Sequence, residues 1–206
     1  LYCPVGGSKV MNEVAKRLGY STPEHEPTVA VLHCNGTCEN APDKVEYIGL
    51  QSCRLANRAF VGKTGCPNGC LRLGDCVRNC PFGAIEMDDQ TGLPRVNPDK
   101  CTSCGACVRI CPRGLYEIRP RGKNGIMVYV ACSNKQKGAT ARKNCKAACI
   151  ACMKCTKICP EVTVEENLSR IPPSVSAKLY GAELAAGCPT GAIVYTGAKG
   201  DKNEQN

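Results

Sequence analysis

The sequence has no Trp, only two Phe, two His and four Met in 206 residues, and none of its apolar runs is long. A core of ordinary size needs large apolar side chains, so this chain cannot be held together by hydrophobic burial alone. The apolar stretches fall well short of the roughly 18 residues that a membrane-spanning helix needs. Two histidines leave little for His-based metal or acid-base sites. No Gly-rich phosphate loop, dinucleotide fingerprint or His/Asp/Glu constellation occurs, so no substrate-converting site is expected. What the chain has in excess is 19 Cys, 21 Gly and 14 Pro. A formal net charge of +9 would suit a nucleic-acid partner, but that sum counts every cysteine as neutral.

The cysteines are grouped. Cys101, Cys104, Cys107 and Cys111, followed by Pro112, have the C-x2-C-x2-C-x3-C-P spacing of bacterial ferredoxins, in which three thiolates hold one [4Fe–4S] cube and the fourth ligates a second. Cys76 and Cys80-Pro81 form the tail of a partner motif. Cys80 is therefore expected to complete the cluster of Cys101, Cys104 and Cys107, and Cys111 to serve one built on Cys70 and Cys76. The middle position of that partner motif is Leu73, which cannot bind iron. Either Cys66 supplies the missing thiolate, or the cluster lacks a ligand and holds three irons. In the second case Cys66 joins Cys34, Cys38 and Cys53 at a further site. Zinc prefers two pairs of ligands and disulfides need an oxidising compartment, so both readings rank below iron–sulfur. A cube with four thiolates carries about −2, so several would cancel most of the basic excess, leaving Lys/Arg patches to steer an acidic redox partner.

A shift of 79 positions superposes Cys53, Cys66, Cys70, Cys76 and Cys80 on Cys132, Cys145, Cys149, Cys155 and Cys159, which marks an internal duplication. In the second copy the first motif is complete, with Cys149, Cys152, Cys155 and Cys159-Pro160. The second is reduced to Cys188-Pro189 behind the segment 176–187, which reads as a helix with Leu179 and Leu184 inward. One cluster on Cys149, Cys152, Cys155 and Cys188 is expected there. Cys159 is either a buried thiol or a partner of Cys132 and Cys145 at an unusual site.

The expected class is α+β: tandem ferredoxin-like modules of short two-stranded sheets and short helices around [4Fe–4S] clusters, with a small core. The expected divisions are 1–28, the end of an N-terminal cluster segment plus linker; 29–65, a cysteine-bearing insertion; 66–120 and 121–196, the two modules; and 197–206, a disordered tail. Val10, Met11, Val14 and Leu18 recur at helical spacing ahead of Gly19. A short strand is expected at 29–32, a helix over 53–62, hairpin strands at 84–87 and 93–96, and a strand at 115–118. Cys3 in Cys-Pro-Val-Gly-Gly is either a loop cysteine or, as preferred here, the last ligand of a cluster whose other ligands precede residue 1. His25 and His33 are read as solvent-facing or satisfied side chains.

Four features in this order resemble the B subunit of the Rnf complex: Cys3–Gly7, the Cys-Asn-Gly-x-Cys segment 34–38, a module opening Cys66-x3-Cys70-Leu-x-x-Gly-Asp-Cys76, and a second module after Val128–Cys132. The resemblance covers nearly the whole chain. It implies an electron-transfer subunit with three to five clusters, one of them open to being [3Fe–4S]. Such a subunit relays electrons from reduced ferredoxin to other membrane subunits of a Na+- or H+-pumping ferredoxin:NAD oxidoreductase. It implies the cytoplasmic face of the membrane, anchored by a segment outside this sequence, and no nucleic-acid partner. The last module departs from the family in lacking three cysteines. A cluster-carrying arm of a hydrogenase- or formate-dehydrogenase-type enzyme, or a zinc-held interaction scaffold, stand as alternatives.

Overall fold

A computed structural model describes residues 6–21, 26–122 and 125–197. Cys3, His25 and the expected tail past Gly197 lie outside them. Helix α1 spans Gly7–Arg17 and closes where Gly19 turns left-handed, at φ +74°. Its recurring Val10, Val14 and Leu18 are exposed.

The rest is one plan used twice. In the first half, β1 (Thr28–Leu32) pairs antiparallel with β4 (Tyr116–Pro120), Ala30 opposite Ile118. Between them in sequence come α2 (Cys53–Ala59), α3 (Asp75–Arg78), the hairpin β2 (Ile85–Met87) and β3 (Pro94–Val96), and α4 (Ala106–Ile110). In the second half β5 (Val128–Val130) pairs antiparallel with β8 (Ile193–Tyr195). Enclosed are α5 (Gly138–Asn144), α6 (Lys154–Ile158), the hairpin β6 (Thr163–Glu165) and β7 (Leu168–Arg170), and α7 (Ala177–Gly187). Each half is thus an outer strand pair around an inner hairpin. The strand expected at 29–32 is the outer strand of the first half, paired with β4, and its run Val29-Ala30-Val31 is buried throughout, as an unalternating apolar strand should be.

The two cores differ in kind. That of the first half is small and built on Ala30, Ile85 and Tyr116 with Cys76 and Cys107. The second is larger: Val128, Val130, Val162, Leu168, Ile171, Val175, Leu184 and Ile193 surround Cys159. The difference follows from α7, which stands where three cysteines are missing. Leu184 is fully buried, but Leu179, expected inward, is 68% exposed. Gly181 lets α7 lie against β8, since a Cβ there would run into the Tyr195 ring.

The halves are joined by polar contacts as well as apolar ones. Arg119 of β4, 3% exposed, donates to the Ile171 carbonyl at 2.6 Å and the Val128 carbonyl at 3.4 Å. His33 bridges the Val130 carbonyl (Nδ1, 2.7 Å) and Glu117 (Nε2, 2.8 Å), so it is a satisfied histidine. Lys44 reaches Asn144 Oδ1 at 2.7 Å, and the Lys146 N–H donates to the Asn40 carbonyl at 2.7 Å. Among the described residues no helix is long and apolar enough to cross a membrane.

Candidate metal centre

The duplicated plan places the thiols around four cavities of similar size. The first, about 20 Å³, lies between the halves and is lined by Cys34, Cys66, Cys70, Cys132 and Cys145. Cys53, Cys70, Cys76 and Cys111 line the second, about 20 Å³. The third, about 20 Å³, has Cys149, Cys152, Cys155 and Cys188. Around the fourth, about 20 Å³, stand Cys80, Cys101, Cys104 and Cys107.

Backbone geometry explains the three loop sites. In 70–76, 101–107 and 149–155 the third and fifth residues are left-handed: Arg72 and Gly74 (φ 59° and 74°), Ser103 and Gly105 (58° and 73°), Ala151 and Met153 (54° and 59°). Two left-handed residues coil the loop so that the side chains between them converge, and L-residues adopt that conformation only at a cost. Leu73 thus has the backbone of Cys104 and Cys152 without the thiol. Cys53, at the start of α2, fills the gap. Its sulfur accepts the backbone N–H groups of Asp75 and Leu73, and Leu73, 4% exposed, packs on Cys53, Ala56 and Leu71.

The site between the halves has pseudo-twofold character. Cys34 stands two residues past β1 and Cys132 two past β5; Cys66 and Cys145 each stand four before Cys70 and Cys149. The Cys70 N–H donates to Cys34 Sγ at 3.4 Å, and the Cys149 N–H donates to Cys132 Sγ at 3.4 Å. These two hydrogen bonds tie the central cavity to the second and the third respectively. Cys66 Sγ also accepts from Asn134 Nδ2 of the other half at 3.5 Å.

The structure separates thiols that the spacing had grouped. Cys66 shares the first cavity with Cys70 but does not line the second with Cys76 and Cys111, and Cys34, Cys38, Cys53 and Cys66 do not stand together, because α2 carries Cys53 to the second cavity and the fold brings Cys34 and Cys66 against the second half. Cys38 lines none of the four cavities. It is exposed, with its N–H on the Thr91 carbonyl and Arg72 Nη1 at 3.8 Å from its sulfur. Cys159 lies in the apolar core, against which Cys132 packs, and lines none of the four cavities. Of Cys132 and Cys145, left unassigned by the spacing, the offset of 79 marked Cys145 as the counterpart of Cys66, whereas no signal in the sequence pairs Cys132 with Cys34.

The donor set suits iron–sulfur clusters. The thiols surround cavities, whereas among the described residues no three Cys, His, Asp or Glu side chains converge as ligands of a single ion do. A tetrahedral zinc–thiolate site, with Zn–S of about 2.3 Å, would bring its sulfurs within about 4 Å of one another. Burial pushes the thiols of Cys34, Cys53, Cys70, Cys76, Cys145 and Cys149 up, that of Cys107 to about 11 and that of Cys132 to about 12. They ionise there only against the positive charge of a metal group. Donors already point at the sulfurs: Ala84 N–H on Cys80 (3.3 Å), Leu115 N–H on Cys111 (3.4 Å), Ser169 N–H on Cys149 (3.4 Å) and the Tyr116 hydroxyl on Cys76 (3.4 Å). The Thr102 and Ser103 hydroxyls, buried and without partners, line the fourth cavity, where inorganic sulfide would accept from them.

Comparison with known proteins agrees with this chemistry. Residues 64–115 match the model of the 4Fe-4S dicluster domain. The B subunit of the proton-translocating ferredoxin:NAD(+) oxidoreductase complex of Clostridium ljungdahlii is 42% identical over 193 residues, 93% of this chain and 66% of that protein. Its counterpart in Acetobacterium woodii, the B subunit of the Na(+)-translocating ferredoxin:NAD(+) oxidoreductase complex, is also 42% identical, over 93% of this chain and 56% of its own length. The B subunit of the ion-translocating oxidoreductase complex of Methanosarcina acetivorans is 36% identical over the same share of this chain and 71% of that protein. The chain thus spans less than two thirds of the first two relatives and somewhat more of the third. With its cysteine-lined sites and this identity along almost its whole length, the chain belongs to the family of B subunits of ion-translocating ferredoxin:NAD oxidoreductase (Rnf) complexes.

Proposed function

We propose that this chain is a multi-cluster iron–sulfur relay: two tandem ferredoxin-like modules carrying four [4Fe–4S] clusters, one of them shared between the modules. The reading rests on one observation, the row of cavities in which Cys70 belongs to the second and donates its N–H to Cys34 of the first, while Cys149 belongs to the third and donates to Cys132. The ligands are Cys34, Cys66, Cys132 and Cys145; Cys53, Cys70, Cys76 and Cys111; Cys149, Cys152, Cys155 and Cys188; and Cys80, Cys101, Cys104 and Cys107. Cys3 is left for a further cluster. Clusters at these sites supply one-electron carriers whose potentials depend on charge, burial and hydrogen bonds to sulfur. The protein fixes the thiolates, directs N–H and O–H groups at them and excludes water from their inner sides.

Within the complex, the chain receives electrons from reduced ferredoxin at the cytoplasmic face of the membrane. It passes them to the other subunits of a ferredoxin:NAD oxidoreductase that moves Na+ or H+. The relatives' names support its place in an ion-translocating ferredoxin:NAD(+) oxidoreductase complex.

Iron and acid-labile sulfide counted per anaerobically prepared chain test the reading. Four clusters predict about sixteen of each. Cys132→Ala should lower the iron count, by one where a three-iron cluster remains and by about four where the central cluster is lost, while leaving the reduced-state EPR signals of the other clusters. Zinc in place of iron, or a Cys132→Ala chain with its full iron complement, overturns the assignment.

A further inference from the structure

The third cavity differs from the other two loop sites at its outer surface. Position five of the loop, left-handed in all three, is Gly74 in one and Gly105 in another but Met153 here. Glycine takes that conformation without strain and methionine does not. The strained methionine is nevertheless turned to water: Met153 is 54% exposed between the exposed Cys152 and the exposed Lys154, and all three line the cavity. A large flexible apolar side chain held outward against its backbone preference is a contact residue, not a packing one.

Its surroundings carry positive charge. Lys154 and Lys157 lie three apart on α6, on one helix face, and both are exposed. The carboxylates of the neighbouring hairpin are matched by cations, Glu166 by Lys135 and Glu165 by Arg170. The two lysines therefore set the sign of the face. At the fourth cavity the same positions are Gly105, Ala106 and Arg109, and Arg109 folds back to donate to the Cys104 carbonyl at 3.1 Å. That end offers neither an apolar anchor nor a free cation at these positions.

Building on the relay reading above, we infer that the Met153 face, framed by Lys154 and Lys157, is the docking surface for a small acidic one-electron iron–sulfur carrier. Met153 is the apolar centre and the lysines are the cationic rim that steers encounter, the usual division of labour at a transient interface. The transfer made there is of one electron alone: the reduced carrier loses it, the chain gains it, and no bond or proton moves.

Zero-length carbodiimide cross-linking of the iron-loaded chain to a small acidic bacterial ferredoxin, read by mass spectrometry, locates the surface without relying on turnover. Amide bonds from Lys154 or Lys157 are expected; bonds instead from Lys100, an exposed lysine beside the fourth cavity, overturn the inference. Calorimetric binding then separates the contributions. Met153→Gly should weaken binding about tenfold at low and high salt alike, the loss of one buried apolar contact. Lys154→Gln and Lys157→Gln should each weaken it about threefold at low salt and negligibly at high salt. Met153→Gly suits the loop backbone, so its iron content and melting temperature should match or exceed the parent's. Variants that bind like the parent overturn the docking surface while leaving the relay intact. A parent chain that holds its iron but takes no electrons from ferredoxin overturns the relay reading itself.

Discussion

Cys53 is the least expected of the proposed ligands, and its role can be isolated by moving the thiol. The loop 70–76 keeps the left-handed residues of a complete motif, so Leu73 has the backbone from which Cys104 and Cys152 reach their cavities. Cys53→Ala should leave three thiols at the second cavity, dropping iron by one and giving the oxidised-state EPR signal of a three-iron cluster. Cys53→Ala with Leu73→Cys should restore the full count, because the new thiol starts from a ligand's backbone. Leu73 is 4% exposed and packs on Cys53, Ala56 and Leu71. Its shortening removes the equivalent of about two methylenes, costing about 2 kcal/mol. Losing the buried Cys53 sulfur costs about 1 kcal/mol more. Metal binding to structural thiolate sites is worth on the order of 10 kcal/mol, so the double variant should still fold when loaded, with a lower melting temperature. Iron and sulfide assays, EPR and thermal melts of the loaded proteins decide it. A Cys53→Ala chain with unchanged iron and no three-iron signal refutes the ligand role. A folded double variant that does not regain the lost iron refutes the equivalence of the loops.

Cys159 is fully buried in the apolar core of the second half, so Cys159→Ser should cost about 1–3 kcal/mol through an unpartnered hydroxyl while iron content holds. Cys38→Ser, at an exposed site outside the four cavities, should change neither iron content nor, beyond about 0.5 kcal/mol, stability. Arg119→Met should cost about 3 kcal/mol, since it strips the Ile171 and Val128 carbonyls of their buried donor; a thermal melt of the loaded protein reads this. Extracting iron with a chelator should abolish the far-UV circular dichroism of the folded chain, because Cys76 and Cys107 belong to the first core and Cys149 and Cys155 to the second.

The sequence carried the local order of this fold well and its long-range pairing poorly. The short strands expected at 84–87 and 93–96 located the hairpin of β2 and β3, and the stretch 176–187 was legible as the helix α7, whose first turn Ser176 caps through the Leu179 N–H. The partner of β1 lies some ninety residues away in β4, and nothing in Thr28–Leu32 says so. The thiols divide in the same way. Ligands within one loop follow from spacing, because the loop itself sets their geometry. Cys53 and the central four follow only from how α2 and the two halves pack. The offset of 79 even paired Cys53 with Cys132, yet one opens α2 at the second cavity and the other follows β5 at the first. Repeats in sequence marked the duplication without marking which members had kept the same place.

The basic balance of the chain finds its explanation inside the molecule. Arg72 is almost wholly buried, with its guanidinium on the Gly36 and Ala41 carbonyls and on Asp43. Its charge bears on Cys34 and Cys145 of the central site. Arg113 donates to the carbonyls of Cys66, Gly69 and Val61, and its charge faces Cys66 and Cys70, then Cys111 and Cys34, so it stands between the central and second sites. Four cubes with four thiolates each, as proposed above, would bring about −2 apiece, which would cancel nearly all of the formal +9. Two of the cations are thus placed as internal counter-ions, where burial would otherwise make unpaired negative clusters costly. Removing either should lower the reduction potential of the adjacent site, because reduction adds negative charge beside a cation that is no longer there. Redox titration of Arg113→Gln should show two EPR signals moving to lower potential, those of the central and second sites. If both stay where they are in the parent, the counter-ion argument fails.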